Sequence, residues 1–170
     1  MSLSMYQASV PAFILGLTNL SAIIDKAAAH AKEKNIDDSV FVNSRIFPDM
    51  FPFSKQVQIA CDMAARGAAR LAGAEIPSFP DTETTFAELK ERVAKAKAFV
   101  EKFTPAQIDG SEAKDISFNV AGKYDMKFTG QAFLTTWALP NFYFHITIAY
   151  AILRHNGIDV GKMDYLGKVQ

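Results

Sequence analysis

Between Tyr6 and Lys34 the apolar residues Val10, Phe13, Ile14, Leu17, Leu20, Ile24, Ala27 and Ala28 recur every three or four positions. That spacing puts them on one helical face, and the face has to be buried. It predicts a long first helix capped by Ser4, with Pro11 early, where a missing N–H costs least. Asn35 to Asp38 end it, and a short helical turn is expected through Val42. The stretch from Phe47 to Phe53, FPDMFPF, holds two prolines and three phenylalanines. It reads as an ordered loop packed over the core.

A second helix is predicted from about Ser54 to Leu71, rich in small residues: Ala60, Cys61, Ala64, Ala65, Gly67, Ala68 and Ala69. Small side chains let a neighbour approach toward the short end of the roughly 8–10 Å interaxial range. Gly73 and Pro77 stop it. Thr85 with Glu88 forms a capping-box pattern. Phe86, Leu89, Val93, Ala96, Val100 and Phe103 then repeat in steps of three and four, a third helix with a narrow apolar seam.

Next the period changes to two. Ile116, Phe118 and Val120 alternate with polar residues, as do Tyr124, Met126 and Phe128 beyond Ala121-Gly122-Lys123, a hairpin signal. Helix restarts at Thr129 or Gly130, is kinked or restarted at Pro140, and ends at Asn156-Gly157. The expected fold is mainly all-α. It is an up-down four-helix bundle with a small β-hairpin inserted before the last helical segment, one domain over residues 1–170.

Composition narrows the function classes. Eighteen Lys and Arg balance eighteen Asp and Glu, so no basic field draws the chain to nucleic acid. The single Cys61 excludes an intramolecular disulfide and multi-cysteine metal motifs. Residues Met1 to Tyr6 carry no basic side chain. The apolar run from Val10 to Leu17 stops at Thr18, short of the roughly 20 residues of a membrane span. A cytoplasmic protein without membrane partners is expected. Phosphate loops, GxSxG and HExxH motifs do not occur.

The segment LPNFYFHITIAYAILRHNG, from Leu139 to Gly157, holds the most chemistry. Its apolar residues spread widely around the helix, which implies burial on most sides. Asn141 and His145, four apart, share one face, and Ala149 leaves room there. Tyr143, Thr147, Tyr150 and Arg154 line the opposite side, read as solvent or interface. Buried polar groups need hydrogen-bond partners or a ligand. Asn141 and His145 therefore either bond within the core or floor a pocket. Gln58 and Asp62, four apart on the second helix, are the facing candidates. Asp62 either orients His145 or faces solvent beside Lys55 or Arg66.

These residues carry a resemblance. The ending Tyr150 to Gly157, with His145 eight positions before Leu153, resembles the last core helix of the DinB/YfiT-like metalloenzyme superfamily. The MSLSMYQASVP start, PDMFPF, PSFPDTETTF and LPNFYFH are similar to a domain-of-unknown-function family within it, over nearly the full length. The resemblance implies a four-helix bundle, often a homodimer, with an interhelical pocket. It also implies a metal site with one ligand from the second helix and a His-x-x-x-His pair on the later one. Those positions fall on Gln58 (or Gln56), Asn141 and His145, so His145 is the one imidazole. Zinc and nickel take imidazole, thiolate or carboxylate, and a neutral amide is a much poorer ligand.

Two functions follow. One is a bundle with a degenerate metal site and no cofactor, binding a small apolar molecule or a partner in its pocket. The other is a zinc- or nickel-dependent thiol S-transferase or isomerase of DinB/YfiT type. A homodimer is expected from the resemblance, the small-residue face of the second helix and fourteen phenylalanines.

Overall fold

Residues 3–167 are described by a computed structural model of the chain; the outermost residues of the 1–170 domain, and Met1 and Ser2 of its first motif, lie outside that range. Helix α1 spans Met5–Lys34, opened by a capping box between Ser4 and Gln7 and closed by Asn35 in the left-handed region. The short α2, Asp38–Val42, follows an Asp37 cap. Helix α3 covers Phe53–Ala72 and ends on Gly73 at φ 69°. Helix α4, Phe86–Val100, starts with the predicted Thr85–Glu88 capping box. It stops three residues before Phe103, whose ring stays buried edge-on to Phe99.

Helix α5, Pro105–Ile108, leads to the hairpin of β1, Asp115–Val120, and β2, Tyr124–Thr129. Ile116 pairs with Phe128 and Phe118 with Met126 in an antiparallel register. Helix α6, Gly130–Ala132, passes into a π-helical stretch, Phe133–Ala138, and then α7, Leu139–His155. Pro140 cannot donate to the carbonyl one α-turn back, and the widened turn lies directly upstream of it. Helix α8, Lys162–Leu166, closes the described chain. Neither α5 nor α8 is long enough to show a period in sequence.

Four long helices form the bundle, and side-chain contacts fix their directions. Phe53 and Phe86, the first residues of α3 and α4, pack edge to face at 6.0 Å. Asp62 and Arg92, further along, meet at 2.7 Å. These helices are therefore parallel neighbours. Asp25 of α1 meets Lys90 of α4 while Tyr6 N–H donates to Asp109 beyond α4, so α1 runs opposite. Phe13 meets Phe142, and Lys26 reaches the Asp159 carbonyl, so α7 runs with α1. The order is up, down, down, up, with α1 and α3 on a diagonal.

By length and composition α1 would qualify as a membrane span, yet half of the qualifying stretch is buried within the bundle. Val10, Phe13, Leu17, Leu20 and Ile24 fill the core from it. Helix α1 packs closely at Gly16, where an added Cβ would lie 2.6 Å from the ring of Phe142. That ring is fully buried and cannot step aside. We expect Gly16→Ala to lower the unfolding free energy by about 1–3 kcal/mol through overpacking. Urea denaturation measures it, and an unchanged midpoint would refute the close α1–α7 contact.

Candidate functional site

His145 points from α7 into the bundle and is 8% exposed. Its Nδ1 lies 2.7 Å from Oε1 of Gln56, in the first turn of α3. The Gln56 amide is oriented by its other end, which donates from Nε2 to the Phe51 carbonyl at 3.1 Å. Oε1 is thus an acceptor, Nδ1–H is the donor, and the lone pair of the neutral ring stays on Nε2. The chain of bonds ties the FPDMFPF loop to two core helices. Burial pushes the His145 imidazole down to about 4.

The other sequence candidates do not gather around this ring. Asn141 is half-buried, and its amide donates at 2.8 Å to the Trp137 carbonyl, one turn back on its own chain. Gln58 points toward α4 and donates to Glu83 at 2.9 Å. Of the two glutamines open at sequence level, Gln56 faces His145. Asp62 does not orient His145 either: it binds Arg92 at 2.7 Å and Arg66 at 2.8 Å. Ala149 is fully buried and opens nothing. Arg154 faces outward, as its side of α7 predicts. Tyr150 and Thr147 of the same side meet Val160 and Tyr165 near α8.

The strongest polar cluster was not legible in the sequence. Arg92, 2% exposed, donates to Asp62, Asp81 and Glu83 at 2.7, 3.2 and 3.2 Å, and its Nη1 also donates to the Pro80 carbonyl at 3.1 Å. The Phe79 ring lies 4.9 Å from the guanidinium carbon. Burial raises the Asp62 carboxyl against the pull of Arg66 and Arg92. A helical seam of Leu89, Val93 and Ala96 gives no hint that Arg92 lies inside, because all its partners but Asp62 come from a loop without period. Cys61, beside this cluster, is fully buried, and burial pushes its thiol up, which suits a filler rather than a nucleophile.

A DinB-type metal centre would draw on Gln56, Asn141 and His145. Gln56 and Asn141 are neutral amides already committed to hydrogen bonds. Among the described residues no three His, Cys, Asp or Glu side chains come together to hold an ion. The donor set does not fit zinc or nickel, which need anionic or imidazole ligands to replace their water.

The proton balance of His145 makes a test. An unfolded imidazole titrates near 6.5, and the folded one near 4. Between those values the unfolded chain binds a proton that the folded chain refuses. Stability is therefore full above pH 6.5 and falls as pH drops toward 4. From pH 7 to 4 we expect the parent to lose up to about 3 kcal/mol more than His145→Leu. Urea denaturation at each pH reads this difference, and parallel curves would refute a buried neutral ring.

The comparisons bear on the fold and the family. The family described as a domain of unknown function, DUF1993, matches residues 5–166. Among solved structures, a DinB family member protein from Shewanella denitrificans is 45% identical to this chain, covering 96% of it and 92% of its own length, at a TM-score of 0.87. No curated protein matches. With a match spanning all the core helices from α1 to α8, the chain belongs to the DUF1993 family, among the DinB-like proteins.

Proposed function

We propose that this protein works without a transition metal, as a DinB-type bundle that binds a small molecule between its elements. The observation that carries the reading is the bond from His145 to Gln56. It commits the lone imidazole to an amide, while the nearest sequence candidate for a carboxylate ligand, Asp62, is held by two arginines. A metal-dependent thiol S-transferase or isomerase is the competing reading. Its support is the free lone pair on His145 Nε2 together with the DinB likeness. It lacks two donors.

Calorimetry with zinc and with nickel on tag-free protein separates the two. The parent is expected to give no stoichiometric binding. Gln56→His with Asn141→His should create micromolar or tighter zinc affinity if the ligand positions are rightly placed, since α3 and α7 would then offer three imidazoles. Tight binding by the parent would overturn the metal-free reading, and none by the double variant would overturn the placement of the ligand positions.

We also read the protein as a cytoplasmic homodimer. Phe47, Phe51 and Phe144 leave 61%, 55% and 54% of their surfaces exposed, apolar area that an interface would cover. Light scattering at micromolar concentration should return twice the chain mass, and the monomer mass would refute it.

A further inference from the structure

A cleft of about 160 Å³ opens between α3 and the tip of the β1–β2 hairpin. Its walls include Met63, Arg66 and Arg70 of α3, Phe118 of β1, Ala121 of the turn and Trp137 of the π-helical stretch. No acidic side chain lines it. Arg66 and Arg70 lie one helical turn apart and share a face. Arg66 gives Nη2 to Asp62, but its Nε is buried without a hydrogen-bond partner. Arg70 has no carboxylate partner among the described residues; its guanidinium carbon lies 4.2 Å from the centre of the Phe118 ring. Burial and the like charge of Arg66 pull Arg70 below the usual arginine range.

The contrast with Arg92 gives this meaning. That buried guanidinium is met by three carboxylates, the usual solution for a charge removed from water. Arg70 is half-buried and has an aromatic face instead of a counter-ion. The ring wall beside it is equally specific. Phe118 and Trp137 meet at 5.7 Å and 61°, an aromatic wall next to the guanidinium fork. A cavity of roughly 150 Å³ holds a benzene molecule, so the cleft has room for one ring.

We propose that this cleft binds a small aromatic carboxylate of about benzoate size, its carboxylate on Arg70 beside the exposed part of the Arg66 guanidinium, its ring against Trp137 and Phe118. The assignment rests on the metal-independent binding reading and names the site and ligand class for it. An inorganic anion would satisfy the charges and leave the aromatic wall bare. A neutral aromatic would cover the wall and leave Arg70 without a counter-ion. A planar carboxylate does both, because the guanidinium fork matches carboxylate geometry.

Trp137 is the sole tryptophan, so its emission reports on this cleft alone. Titrating the intact protein with sodium benzoate at low salt should give a saturable emission change. Benzamide, the neutral isostere, should bind at least about tenfold more weakly, as should benzoate to Arg70→Gln, with Arg70→Lys between because it keeps charge and loses the fork. Inorganic phosphate should compete poorly with benzoate. No saturable change up to about 10 mM benzoate, equal affinity for benzamide, or phosphate competing as well as benzoate would each overturn the proposal. The benzoate–benzamide comparison uses the parent protein, so it holds even where Arg70→Gln fails to fold. Zinc calorimetry reads His145 and benzoate reads Arg70; a failed benzoate titration removes the cleft while the metal-free reading stands, and stoichiometric zinc does the reverse.

Discussion

Two neighbouring helices that run the same way cannot be joined by a tight turn, and this constraint shapes the whole molecule. Helix α3 is twenty residues long, about 30 Å at 1.5 Å per residue. The chain must climb back that distance before α4 starts beside Phe53. The residues between Ala72 and Phe86 can span about 43 Å fully extended, so the segment must run largely extended and has little backbone bonding of its own. It is held by side chains instead. Arg92 gathers Asp81, Glu83 and the Pro80 carbonyl from the loop and Asp62 from α3, while Lys55 pairs with Asp81 at 2.5 Å. Removing one partner from such a buried arrangement typically costs about 3–5 kcal/mol, because the remaining charges stay behind unpaired.

That connection also divides the surface of α3. Residues advance about 100° each around a helix, so Gln56, Met63 and Arg70 fall within about 40° of one another. Gln58 and Asp62 lie about 160° and 120° away from Gln56, toward α4 and the return segment. One helix thus serves three neighbours: Gln56 meets α7, Gln58 and Asp62 meet the ion cluster, and Arg66 and Arg70 meet the hairpin. The small residues of α3 sit between these sets and let α4 and α7 approach from two sides.

The long helices were legible through their apolar period together with local punctuation: the caps at Ser4 and Thr85–Glu88, the stop at Gly73 and the change of period at Ile116. The hairpin was legible for the same reason. The site was legible only in part. The inward turn of His145 follows from its apolar helix, but its partner does not. Gln56 and Gln58 are turned by about 160° from each other, and choosing between them needs the rotational phase of α3, which is set by packing. Asp62 looked available because Arg92, thirty residues on, is invisible to spacing. The Arg66–Arg70 cleft was missed because one wall comes from a strand and another from a π-helical turn, and no single segment carries the pattern.

The amides at the positions where the resemblance implies metal ligands have a physical logic of their own. An imidazole buried without a metal still needs an acceptor for its N–H, and a backbone carbonyl takes a donor. Glutamine and asparagine each offer both. Gln56 accepts from His145 and donates to Phe51, closing the loop over the helix ends. Asn141 donates to the Trp137 carbonyl just past Pro140, which stabilises the turn that sets the indole against Phe118. The positions that resemble a metal centre therefore act as hydrogen-bonded locks. One secures the aromatic loop, and the other fixes the tryptophan wall of the arginine cleft, so the two regions are joined through a single turn of α7.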